Sequence, residues 1–261
     1  MTRTSVFLTI CLLAICCAIQ VQQASATTTC AYNFSTGSNN PNAYLTYCVT
    51  ANGNIQQIET PFGHSQSGYG GEGYGICNES PAQNYTDYAT GDTGNWNAAT
   101  VVRSSATSVK IARTTSDGNW TLTQTITVVP LSASSPQSIN VVMALKNNQS
   151  VAKVAYLVRY ADVYADGVAF DLFGATLNNT FAWSYGNTQP FFGLQLQNVG
   201  TPQFGYWQAF AQNVYSGPNA CAFAFNDSGG SYQGYGSLVM AYVTSVPAHG
   251  TKTATMTYRG L

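Results

Sequence analysis

The run Trp120-Thr121-Leu122-Thr123-Gln124-Thr125-Ile126-Thr127-Val128 puts Trp120, Leu122, Ile126 and Val128 on one side of an extended chain and four threonines on the other. Side chains of a strand alternate between faces, so such a run fits a sheet with one side packed and the other wet. Residues 138–146 repeat the pattern, with Ile139, Val141, Met143 and Leu145 directed inward. Further strands are expected over 44–50, 108–114, 153–160, 191–197, 220–225, 238–246 and 251–258, separated by turn pairs such as Asn52-Gly53, Asp117-Gly118 and Asn147-Asn148 and by Ser228-Gly229-Gly230. No segment carries a capped apolar stripe of helical period. The expected class is all-β: a large antiparallel two-sheet β-sandwich in a single domain over residues 27–261. Two stretches look like loops: residues 63–75, which read as too glycine-rich for a strand interior, and residues 164–183, which carry carboxylates and end in aromatics.

Residues 1–26 have the three parts of a secretory signal peptide: a basic start at Arg3, an apolar run from Val6 to Ile19 and the small triplet Ala24-Ser25-Ala26. Leu13-Ala14-Ile15-Cys16 has the outline of a lipobox, but Ile15 is too large for the position before the cysteine. No stretch of the mature chain reaches the ~20 apolar residues of a transmembrane helix, so a secreted, extracellular or periplasmic protein is expected. Four cysteines follow the leader, and in an oxidising compartment they form two disulfides. Three pairings are open, of which Cys48 with Cys77, closing the glycine-rich segment, and Cys30 with Cys221 is the expected one.

Charged residues make up 7% of the chain and the formal net charge is −1, against about 25% charged in typical globular proteins. With so few titrating groups, stability is expected to depend weakly on pH and salt. Lysines and arginines are scattered singly, which gives no basic stripe for nucleic acid or an anionic membrane.

Candidate chemistry is sparse. Gly63-His64-Ser65-Gln66-Ser67 approaches a nucleophile elbow, but it lacks the final glycine and no helix follows. Asp162, Asp166 and Asp171 are spaced carboxylates around Gly167 and make a calcium site possible, although turn-forming aspartates account for the same residues. Glu72 and Asp162 are the carboxylate pair that a glycoside-cleaving enzyme would use. Trp96, Trp183 and Tyr185 lie in loop-like surroundings and offer flat faces to a ligand, whereas Trp120 belongs to a core face.

Segments Glu72-Gly73-Tyr74-Gly75-Ile76-Cys77, Gly91-Asp92-Thr93-Gly94-Asn95-Trp96, Arg113-Thr114-Thr115-Ser116-Asp117-Gly118-Asn119-Trp120 and Tyr156-Leu157-Val158-Arg159-Tyr160-Ala161-Asp162-Val163 resemble those of an uncharacterised group of exported bacterial β-rich proteins. That resemblance carries no catalytic residue. At the level of pattern, the turn Lys146-Asn147-Asn148 between a strand and a Tyr-rich strand is similar to the galactose-mutarotase-like supersandwich found beside glycan-processing domains. The resemblance implies a sandwich of that kind; the acid and base histidines of a mutarotase cleft have no counterpart in a chain with two histidines. The expected protein is a secreted sandwich that binds glycan or another extracellular polymer without catalysis, through loop aromatics and amides. A carbohydrate-active enzyme and a structural envelope or matrix protein are the alternatives.

Overall fold

The computed structural model describes residues 29–38, 40–88, 91–92, 95–176, 180–212, 219–222 and 231–261. The leader 1–26, the Ser228-Gly229-Gly230 turn, Thr93-Gly94 and the end of the expected 220–225 strand lie outside these residues. Within them the regular structure is nearly all strand, in three antiparallel sheets.

Strands β1 (Cys30–Ser35), β2 (Thr46–Thr50) and β3 (Ile55–Glu59) form a small sheet. Next come β4 (Ser67–Asn78), β5 (Gln83–Tyr88) and β6 (Gly91–Asp92), followed by β7 (Thr100–Ser104), β8 (Ser108–Thr114), β9 (Trp120–Val129) and β10 (Ser138–Asn147). The remainder are β11 (Lys153–Val163), β12 (Asp171–Ala175), β13 (Phe181–Tyr185), β14 (Gly193–Asn198), β15 (Tyr206–Gln212), β16 (Tyr232–Gly234), β17 (Ser237–Val246) and β18 (Thr251–Gly260). One large sheet has the order β16-β12-β13-β14-β18-β10-β9-β8-β7, and the other has β15-β17-β11-β4-β5-β6.

The nine-stranded sheet behaves as its alternation demands. In β9 the burial alternates residue by residue, and Trp120, Leu122, Ile126 and Val128 enter the core that Ile139, Val141, Met143 and Leu145 of β10 share. The six-stranded sheet differs, because β11 and β17 are buried on both faces. A second apolar cluster of Cys77, Val158, Tyr160, Phe210, Ala220, Val239 and Ala241 covers its far side.

Several expectations are corrected. The glycine-rich segment is not a loop but supplies β4, between β11 and β5. A Cβ at Gly73 would run into the Asp87 carbonyl oxygen, and one at Gly75 would come within 2.8 Å of the Ala220 Cβ, so close backbone approach selects glycine there. Ala220 and Cys221 lie in a turn rather than a strand. All four mature cysteines are bonded, but the pairs are Cys30–Cys48 and Cys77–Cys221. The pairing follows topology: β1 and β2 are neighbours, with Asn33 opposite Cys48, and the turn bearing Cys221 packs on β4.

Two buried ion pairs bind the sheets together. Arg113 of β8 meets Asp87 of β5. Arg159 of β11 holds Glu72 of β4 and also donates to Gln124 of β9 and to the Gly53 carbonyl. Glu72 accepts further from the Ile55 amide at 2.7 Å and the Tyr258 hydroxyl at 2.8 Å, so all three sheets meet at this carboxylate.

Candidate functional site

Beside that junction a cavity of about 490 Å³ opens between β3 with the following loop and the β4–β11 pair. Ile55, Ile58 and Leu194 give it apolar surface; Gln56, Gln57, Gln66, Ser67, Glu72 and Asp162 give it polar surface. Both walls are made by irregular strands. Pairing of β2 with β3 shifts between Thr46 and Cys48, and Gln57 of β3 takes a left-handed backbone (φ 54°). Pairing of β11 with β4 shifts between Ala161 and Val163, which face Glu72 and Ser67, so β4 bulges around Asp162. A Cβ at Gly68 would collide with the Asp162 carboxylate, so glycine makes room for that carboxylate in the bulge. Bulges of this kind re-aim side chains beside binding sites.

Among the polar groups of the cavity, Glu72 and two of the glutamines are partnered differently. Each Glu72 oxygen takes two donors: Arg159 Nε and Tyr258 for one, Arg159 Nη2 (2.8 Å) and the Ile55 amide for the other. Burial raises the Glu72 pKa, and Arg159, the Ile55 amide and Tyr258 pull against that rise. Gln66 Nε2 donates to the Thr60 carbonyl at 2.9 Å, but its Oε1 is buried with no protein partner, and so is Gln56 Nε2. The amides that line the cavity are uncharged, and these two of their polar atoms are enclosed by protein.

Asp166 and Asp171 do not line this cavity. Asp166 Oδ1 is 2.6 Å from His64 Nδ1, and the His64 ring packs on Phe192 with centroids 4.0 Å apart. Asp171 Oδ2 accepts from the Ala165 amide at 2.6 Å. Burial, reinforced by Asp162 and Asp166 and opposed by the Ala165 amide and Ser184, pushes the Asp171 pKa up to about 7. Asp166 and Asp171 are thus engaged locally, and among the described residues no group of three or more His, Cys, Asp or Glu side chains gathers as a metal site. Ser65 bridges Glu59 and leads into β4, so the elbow-like motif has no elbow geometry.

The aromatic candidates separate. Trp96 is 4% exposed, wedged edge-on against Tyr74 and Tyr85 with the Arg113 guanidinium over its ring, so the expectation of an open face is corrected: the ring belongs to the core. Trp183 and Tyr185 are half-buried on β13, with ring centroids 5.4 Å apart. With Leu172 (40% exposed) and Phe191 (49% exposed) they line a hollow of about 280 Å³. Alternation places them: Ala182 and Ser184 point to the interior while Trp183 and Tyr185 point out, opposite Gly174 and Leu172 of β12. A Cβ at Gly174 would strike the Trp183 ring, so the indole lies against bare backbone. Phe191 and Phe192 are consecutive, one on this shelf and the other on His64 at the cleft rim. Trp183 and Tyr185 point outward as the sequence led one to expect, whereas nothing in it singled out Gln56, Gln66, Leu172 and Phe191; amides carry no periodic signal.

No protein-family model and no curated protein matches the chain. Among solved structures, a bacterial glucoamylase complexed with acarbose is similar in fold, with a TM-score of 0.55 at 11% identity over 89% of this chain and 32% of that chain. The chain thus spans about a third of the glucoamylase's length. Among the described residues no helix is long and apolar enough to cross a membrane.

Proposed function

We propose that this is a secreted β-sandwich that binds glycan or another neutral extracellular polymer without catalysing its cleavage. The observation that carries the reading is the uncharged amide lining, Gln56, Gln57 and Gln66, of a cavity walled by two bulges. Sugar hydroxyls both donate and accept, and a neutral donor–acceptor pair satisfies them without the desolvation cost of a charge. The Trp183–Tyr185 shelf supplies the apolar face on which a sugar ring lies, and Phe191–Phe192 links shelf to cleft. Two disulfides and a signal-like leader support export. The fold shared with a carbohydrate-active enzyme, a glucoamylase, supports the ligand class.

The test is a glycan array with wild type, Trp183→Ala and Gln56→Ala. Wild type is expected to bind neutral glycans, and each variant to lose about tenfold or more in affinity at unchanged melting temperature. Binding to no glycan overturns the proposal.

The enzyme reading keeps one observation in its favour, that Glu72 and Asp162 line the same cavity. Four donors already occupy the Glu72 carboxylate, which fits a carboxylate that holds the sheets together better than one that moves protons. Release of reducing sugar that Asp162→Asn abolishes would favour the enzyme.

A further inference from the structure

Among the described residues, the outer face of the nine-stranded sheet gathers charge of one sign. On it Thr121, Thr123, Thr125 and Thr127 of β9 stand level with Lys146, Ala144, Val142 and Asn140 of β10, and these with Thr251, Thr253, Thr255 and Thr257 of β18. On the β8 side the same rows continue as Thr114, Ala112, Lys110 and Ser108. At the sheet edge Arg103 of β7 is directly opposite Lys110 of β8. A hollow of about 440 Å³ there is lined by Arg103, Ser105, Thr107, Ser108, Lys110 and Thr125.

Like charges directly opposite one another on a sheet repel. Neither Arg103 nor Lys110 makes an ion pair among the described residues, and both are exposed. The acidic side chains that are described lie elsewhere: Glu72 and Asp87 are buried between sheets, Glu59 and Asp162 line the cleft, Asp166 pairs with His64, Asp171 is buried against the Ala165 amide, Glu79 pairs with Tyr156, and Asp117 bonds within the turn after β8 and to Tyr85. The turn that presents the two cations is fixed: Ser105 Oγ accepts from the Ser108 amide at 3.1 Å, and the Ser105 amide donates to the Ser108 carbonyl at 2.8 Å. Lys146 and Arg259 add positive charge farther along the same face.

We propose that this face docks an acidic polysaccharide, with a sugar carboxylate held between Arg103 and Lys110 and the neighbouring sugar hydroxyls on Ser108, Thr125 and the threonine rows. Charge complementarity selects an anion, since one carboxylate between the opposed cations replaces repulsion with two charge-assisted hydrogen bonds. The low density of cations selects the polymer. Duplex nucleic acid presents a charge about every 1.7 Å and an anionic bilayer is met by clusters of about four to eight basic residues, whereas here two cations are set in a field of hydroxyls. The surface is separate from the amide-lined cleft and rests on the reading above only for the ligand's being a glycan.

The experiment measures binding of the full protein to polygalacturonate and to uncharged dextran at 50 and 200 mM NaCl, for wild type, Arg103→Ser with Lys110→Ser, and Trp183→Ala. Wild type is expected to bind polygalacturonate and to weaken severalfold at the higher salt. The double variant should lose about tenfold or more on polygalacturonate, with an unchanged melting temperature and unchanged binding of any neutral glycan. Equal polygalacturonate binding by wild type and double variant overturns the proposal, as does a preference of wild type for duplex DNA or phosphatidylserine vesicles. Loss of neutral-glycan binding in Trp183→Ala speaks only to the cleft and shelf, so the two readings fail separately.

Discussion

The Glu72 end of the cleft and its Gln56–Gln66 end share one wall and use their polar groups in opposite ways. At Glu72 every acceptor position is filled by side chains and backbone from three sheets, and the charge is matched by Arg159. A few residues away the amides of Gln56 and Gln66 each keep one buried polar atom unmatched. In a chain this poor in charge, the ion pair at Glu72 is used to fix how the sheets meet, while the amides nearby are left uncharged in the cavity lining.

The comparison breaks first at Arg159. Arg159→Met leaves the buried Glu72 without its cation, which costs about 3–5 kcal/mol, and the melting temperature should fall by about 10 °C. Gln56→Ala, in the same cavity, should shift it by no more than about 2 °C. Similar small shifts for both variants would show that the Glu72 end is not a structural lock.

A second variant asks how the wall itself is built. At Gly73 an added methyl meets the Asp87 carbonyl oxygen, whereas at Gly205 the nearest atom is 3.9 Å away. Gly73→Ala is expected to cost about 2 kcal/mol by overpacking, and Gly205→Ala about 0.5 kcal/mol or less, both read by urea unfolding. Equal costs would mean that β5 is free to shift away from β4, and the bulge around Asp162 would then not be held from that side.

What the sequence revealed depended on which faces are wet. β9, β10 and β18 keep one face in water, so their alternation could be read, and the same rule puts Trp183 and Tyr185 outward while Ala182 and Ser184 face in. β11 and β17 are covered on both sides and alternate little. Residues 68–75 hid a strand because glycine signals flexibility in isolation, while here it answers to a neighbour's backbone. Trp96 looked exposed beside Gly94 and Asn95, but Arg113, distant in sequence, closes over its ring. Cysteine pairing and the Gln56–Gln66 pair depend on register between strands, which no local pattern records.

The comparison sharpens further with a second carboxylate, one that has no cation. Asp171 is buried like Glu72, but one of its oxygens bonds the Ala165 amide and the other has no partner. Its pKa, pushed up to about 7 chiefly by burial, lies above the value of about 3.9 in the unfolded chain. The native state therefore holds this proton more tightly, so the stabilising contribution is complete below about pH 4 and is lost as pH rises to about 7. Asn at 171 keeps an acceptor for the Ala165 amide and cannot ionise. Relative to wild type, Asp171→Asn should gain stability at pH 8 compared with pH 4, by at most the roughly 4 kcal/mol that a shift from about 3.9 to about 7 carries, read as a rise in relative melting temperature. Such a gain would also overturn the composition-based expectation of pH-indifferent stability at this one site. A variant-to-wild-type difference that is the same at both pH values would mean that Asp171 is already ionised in the fold, and that burial alone does not separate it from Glu72.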